Sequence, residues 1–143
     1  MAGVIYDLAD LISSGGVTTT IYRGFMAPSP DEALQIIETG GFPPIRAMPG
    51  SAGRGGVGAG LIVEERVTVQ IVRRSASPQL ARAAMSYIYR FLDGAGNRDI
   101  NGTRYGLITA QQPPFPLPYD ESGRKLMVCN FLAEKALTTA TST

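Results

Sequence analysis

Lys125-Leu126-Met127-Val128-Cys129-Asn130-Phe131-Leu132, preceded by the turn Asp120-Glu121-Ser122-Gly123-Arg124, decides how this chain folds. The run is apolar at odd and even positions alike, so an extended backbone turns carbon to both sides. Such a strand has to be covered twice, in the middle of a sheet or between a sheet and a partner chain. Upstream, Gln111-Gln112-Pro113-Pro114 ends the preceding strand in prolines, and the acidic-to-basic turn then reverses the chain. Nothing in this stretch reads as catalytic.

Working outward, Val67, Val69 and Ile71 alternate with Thr68 and Gln70 as a half-buried strand, left through Arg73-Arg74-Ser75. Ser77 then caps and Pro78 opens a helix. Its apolar stripe is read as Leu80, Ala84, Tyr87, Ile88 and Phe91, and Asp93-Gly94 closes it. A further strand follows over Arg104-Tyr105-Gly106-Leu107-Ile108-Thr109 before the final hairpin. At the other end, Val4, Ile5, Leu8, Leu11 and Ile12 share one helical face, with Asp7 and Asp10 assigned to the other and Gly15-Gly16 ending the helix. Thr18 to Tyr22 is a β-branched run that suits a strand.

Two segments are harder. Ser29-Pro30-Asp31-Glu32 has the form of a capping box opening a helix over Ala33 to Glu38, yet the same residues fit a short apolar strand; local signals lean to the helix. Residues 40–60 read as irregular, because Gly40-Gly41-Phe42-Pro43-Pro44 does not suit a regular element. Within them, a flexible glycine-rich loop is expected at 46–60. It holds a formal G-x-G-x-x-G match from Gly53 to Gly58, but that motif binds phosphate only between a strand and a helix N-terminus. Here a strand follows, so nucleotide binding is set aside.

The chain has 143 residues, 44% hydrophobic and only 17% charged, with a net charge of +1. That length makes one domain able to bury about two-thirds of its unfolded surface. The charged fraction lies below the ~25% of an average domain, which suggests faces covered by neighbours. A broad nucleic-acid footprint is excluded by the near-neutral charge. The single cysteine, Cys129, excludes an internal disulfide and a cysteine zinc site. The absence of histidine removes the commonest general base and metal ligand. The carboxylate pairs Asp31-Glu32, Glu64-Glu65 and Asp120-Glu121 diverge if extended, no G-x-S-x-G elbow is present, and Asp99 with Asn101 suggests a turn. No apolar run approaches the ~20 residues of a membrane span and no signal peptide precedes the first helix, so synthesis in a cytoplasm is expected. No enzymatic activity, cofactor or metal is expected. The tail 138–143 is small and polar and is expected to be disordered.

Three blocks carry a resemblance. They are Phe25-Met26-Ala27-Pro28-Ser29-Pro30-Asp31 leading into Glu38-Thr39-Gly40-Gly41-Phe42-Pro43-Pro44; Val67 to Arg73 with the alanine-rich helix behind it; and Gln112-Pro113-Pro114 with Asp120 to Arg124 and the Asn130-Phe131 strand. In this order, over residues 4–134, the chain resembles the minor capsid or tail-completion proteins of long-tailed bacteriophages and is similar to their tail terminators. The resemblance implies that Leu34 to Glu38 is extended rather than helical. It further implies a single α+β domain over 1–137, with a mixed or antiparallel sheet of about four to five strands and two main helices.

By the same resemblance the chain is a structural virion protein of the tail or neck, put together in the host cytoplasm. Subunits form a ring, commonly of six, on the end of the tail tube. The ring stops tube growth and offers a docking surface to the head connector, with DNA only passing through the lumen and no membrane involved. A head-completion or connector adaptor of the neck is the alternative. The arginines Arg66, Arg73, Arg74, Arg82, Arg90 and Arg98 form either a solvated face or a set of ion pairs between subunits, with Asp120, Glu121, Glu64 and Glu65 as possible partners. Arg73, Arg74, Asp120, Arg124 and Arg54 are the expected junction residues, and reversing the charge of Arg73 is expected to weaken assembly without unfolding the domain.

Overall fold

The computed structural model describes residues 3–46 and 62–136. Most of the loop expected at 46–60, with its Gly53–Gly58 match and Arg54, and the tail expected at 138–143 lie outside the described residues. Helix α1 runs Val4–Ser14, followed by β1 Thr20–Arg23, β2 Ala33–Arg46 and β3 Ile62–Ser75. Helix α2 spans Pro78–Leu92, and β4 Arg98–Ile100, β5 Thr103–Ala110, β6 Phe115–Leu117 and β7 Lys125–Ala136 complete the chain. The sheet order is β1-β2-β3-β7-β5-β4, with β6 also pairing β7. Only β1 against β2 is parallel, so the sheet is mixed.

β7 sits at the centre, as its two apolar faces require. Its odd positions Met127, Cys129, Phe131 and Ala133 join Val69, Ile71, Leu34 and Ile36 beneath the two helices. On the other face Val128 and Val72 are buried, because the 24–32 loop folds over that side and bonds to Arg74. β5 and β6 share one edge of β7 in tandem, at Phe131–Lys135 and Leu126–Val128. Pro113-Pro114 breaks the strand between them, and the Gln112 side chain fills the gap by accepting the Asn130 N–H at 3.2 Å.

Among the described residues seven strands replace the four to five expected. β4 and β6 are three residues each, too short for a period-2 pattern to register. β4 and β5 are joined by Asn101-Gly102, both at positive φ (52° and 83°), the two-residue hairpin geometry that this pair suits. The Ala33–Glu38 segment is extended, as the resemblance implied, and the capping-box helix does not form.

Residues 40–46 are not irregular but continue β2. The strand carries Gly40-Gly41-Phe42-Pro43-Pro44 by shifting register between Glu38 and Gly40 and again between Phe42 and Ile45. Gly41 is needed there because a Cβ would lie 2.3 Å from the Arg66 carbonyl oxygen. The prolines are tolerated because β1 ends at Arg23, opposite Ile36, which leaves β2 an edge strand beyond that point among the described residues. Arg66 donates to the Pro43 carbonyl from Nε at 3.1 Å and Nη2 at 2.9 Å, and its guanidinium lies over the Phe42 ring.

α2 is rotated from the expected stripe. Ala81, Met85, Ile88 and Leu92 face the core, while Leu80 and Tyr87 are nearly half exposed. The helix carries two apolar rows, and composition alone does not say which one the sheet takes. Asp7 is also corrected: it is fully buried, not on a polar face. It accepts hydrogen bonds from the Tyr105 hydroxyl and from Asn101 Nδ2 at 2.9 Å. Asn101 Nδ2 also reaches Asp10 at 2.8 Å, and Asp10 pairs with Arg23 of β1 at 3.5 Å. α1 thus ties β1 at one side of the sheet to the β4–β5 turn at the other, and the sheet curls around it.

Candidate functional site

The expected junction residues converge at the end of the sheet where β3 stops and β7 starts. The turn before β7 is built by Asp120. Its Oδ1 accepts the N–H groups of Ser122 at 3.0 Å and Arg124 at 2.8 Å, an aspartate turn of the usual kind. Its Oδ2 accepts Arg124 Nε at 2.9 Å. The Arg124 backbone N–H, followed by its side chain, holds the Asp120 carboxyl below the usual carboxylate range.

Arg124 then reaches across to the 24–32 loop, donating to the Pro28 carbonyl and to Asp31 Oδ1 at 3.3 Å. From the last turn of β3, Arg74 donates to the carbonyls of Pro30 and Asp31. Burial and the neighbouring Arg124 cation depress the Arg74 pKa, partly offset by Asp120 and Asp31. On the opposite face of β3, Arg73 pairs with Glu32 at 3.0 Å. Glu32 also accepts Ser75 Oγ at 3.0 Å and the Ala76 N–H at 3.1 Å. Burial alone would raise the Glu32 carboxyl, but these donors outweigh it and hold it below its ordinary value.

The structure therefore brings Arg73, Arg74, Asp120 and Arg124 together, while Arg54 lies outside the described residues. The three arginines are 5%, 3% and 9% exposed, and their visible partners lie within the same chain. Within the chain Arg73 pairs with Glu32, Arg124 pairs with Asp31 and Asp120, and Arg74 is held by backbone carbonyls. Each of the three guanidinium groups is engaged by oxygen acceptors of the same chain. What they do is fix the 24–32 loop in one shape, with Asp31 and Phe25 left in solvent; Phe25 is 83% exposed.

The remaining candidates are dispersed. Glu64 has its carboxyl raised by burial and by the Glu134 carboxylate. Arg82, Arg90 and Arg98 are exposed, and Asp99 pairs with Arg104 at 3.3 Å. Among the described residues no cluster of three metal-ligating side chains occurs, and no helix is long and apolar enough to cross a membrane. The Glu32 clamp is not legible in the sequence, where Glu32 reads as a cap or as half of a carboxylate pair and its actual partners lie 41 to 44 residues away. It also missed Asp7, although Val4, Asp7, Leu8 and Leu11 already stand at the spacing of one buried helical face.

The sequence model described as bacteriophage tail terminator protein matches residues 7–136, from α1 through β7. The chain belongs to the bacteriophage tail terminator family, a family of structural proteins of the virion tail. A search of curated proteins finds no match.

Proposed function

We propose that this protein closes into a ring on the end of the tail tube, ends tube growth there and presents its other side to the head connector. What supports this reading is the family match, which covers every element of the fold from α1 to β7. The mechanism is shape and mass action. A subunit with two different complementary patches adds head to tail until the rotation closes, and closure removes the free ends. Each junction has to bury about 1,000 Å² or more to persist.

In this reading Arg73, Arg74, Asp120 and Arg124 serve the junction from behind, by holding the 24–32 loop in the shape its neighbour meets. Arg54 is proposed as a further junction residue. Six subunits, assembly in the host cytoplasm, a tail-tube partner below, a connector above and DNA passing through the lumen complete the proposal. Electron microscopy of a lysate from phage lacking this gene tests it. Overlong, headless tubes are expected. Tails of normal length beside filled, unjoined heads would overturn it and place the protein on the head side as a connector adaptor.

A further inference from the structure

The ring leaves open which surfaces meet, and two patches of the fold complement each other. The first is the outward face of α2. Opposite its buried row stand Gln79, Arg82, Ala83, Tyr87 and Arg90, with Leu80 on the flank. The helix contains two arginines and no acidic residue, so this face is cationic around an apolar strip. Arg82 and Arg90 make no ion pair among the described residues. Pro78, Gln79, Arg82 and Ala83 bound an open, mainly apolar hollow over its first turns.

The second patch is the 24–31 loop with the turn at 120–124 beside it. Phe25 projects from it and is the most exposed large apolar side chain described. The backbone on both sides of Phe25 is anchored. Gly24 donates to the Ile36 carbonyl at 3.1 Å and accepts from Gln35 Nε2 at 2.7 Å. Tyr22 donates to the Ser29 carbonyl at 2.8 Å, and Arg124 and Arg74 hold Pro28 and Pro30. An aromatic side chain held out in water on an immobilised loop costs little further ordering when it binds. On the same loop and the adjoining turn, the carboxylates of Asp31, reached by Arg124 at 3.3 Å, and Glu121 are exposed.

The two patches also face different ways. α2 packs on the side of the sheet that carries Ile71 and Cys129. The loop is tied to Arg74 and Tyr22, whose side chains leave the sheet on the other side. Different, complementary surfaces pointing apart are what a head-to-tail ring needs.

Resting on the ring reading, we infer that the outward face of α2 receives the 24–31 loop of the next copy of this chain. Phe25 enters the hollow at Pro78 to Ala83, and Asp31 and Glu121 face Arg82 and Arg90. The charges select the register and the aromatic anchor supplies most of the affinity.

The test uses the full chain, alone and mixed with isolated tail tubes, with assembly mass read by light scattering and native mass spectrometry. Phe25→Ser and the pair Arg82→Glu/Arg90→Glu are each expected to need at least ~10-fold more protein to assemble. Their thermal melts should match the parent, since all three side chains lie outside the core. Adding Glu121→Lys to the Arg82→Glu/Arg90→Glu chain should recover part of the loss. Independently, Phe25→Cys/Ala83→Cys under mild oxidation should give a ladder of linked chains up to the ring number, which decides the matter even if a charge variant misfolds. Wild-type assembly by both loss variants, or rings without a ladder, overturns this contact and leaves the ring standing. A parent chain that closes no ring in either setting overturns the ring reading, and this contact with it.

Discussion

Asp7 of α1 accepts the hydroxyl hydrogen of Tyr105 from β5 across 98 residues of sequence, with both side chains fully buried. Burial, then the Asp7 carboxylate, push the Tyr105 phenol far above its ordinary value. Tyr105→Phe leaves the buried carboxylate with Asn101 as its remaining partner and should cost about 1–3 kcal/mol in urea unfolding. The sign with pH follows. Because the folded pKa is raised, stability is intact below pH ~10, where free tyrosine ionises, and falls as pH climbs above it. Tyr105→Phe should remove that alkaline loss. An unchanged alkaline limb in the variant would show that another group causes it.

Glu32 gives the opposite limb. Its folded pKa is lowered, so its contribution is present above about pH 4.5 and disappears as pH falls through the folded value. Glu32→Gln should flatten the acid side of the stability curve. At neutral pH it should cost no more than about 1 kcal/mol, since the side chain is 40% exposed and screened. Chemical denaturation at pH 3.5 and pH 7 measures both effects.

Gly41 cannot carry a side chain without moving the Arg66 carbonyl. Gly41→Ala is expected to lower stability by about 1–3 kcal/mol, as overpacking does elsewhere. Thermal denaturation followed by circular dichroism reads this directly, and an unshifted midpoint would mean that the β2–β3 pairing differs from the one described.

Cys129 is buried at the centre of β7, with its thiol pushed up to about 11 by burial and then by the Asp93 charge. A neutral, enclosed thiol is a poor nucleophile. Labelling with an aromatic disulfide reagent at pH 8 should be slow in the native protein and fast in urea. Rapid native labelling would indicate that β7 opens readily.

The legible parts of the fold were those with strong local periodicity. The double-sided apolar run at 125–132 placed β7 at the centre, and Ser77-Pro78 marked the start of α2, where Ser77 Oγ does accept the Leu80 N–H at 3.2 Å. What could not be read were choices made by tertiary contact. Glu32 suits a helix cap until Ser75, Ala76 and Arg73 claim its carboxylate from 41 to 44 residues away. α2 offers two apolar rows of similar quality, and only the sheet selects one. Within the chain, the Asp120–Arg124 pair spans four residues, whereas Glu32 lies 41 residues from Arg73 and Asp31 lies 93 from Arg124, separations at which local pattern carries no signal.

Among the described residues, β2 from Ile37 to Arg46 has no strand on its outer side. An uninterrupted edge strand is a template, and copies of a chain that carries one can stack into fibrils. This edge is broken by three shifts of register, and Pro43 and Pro44 contribute no N–H to an incoming strand. A neighbouring backbone can find only a few residues in step before the ladder fails. Crowded copies of this chain are thus barred from cross-β stacking along this edge.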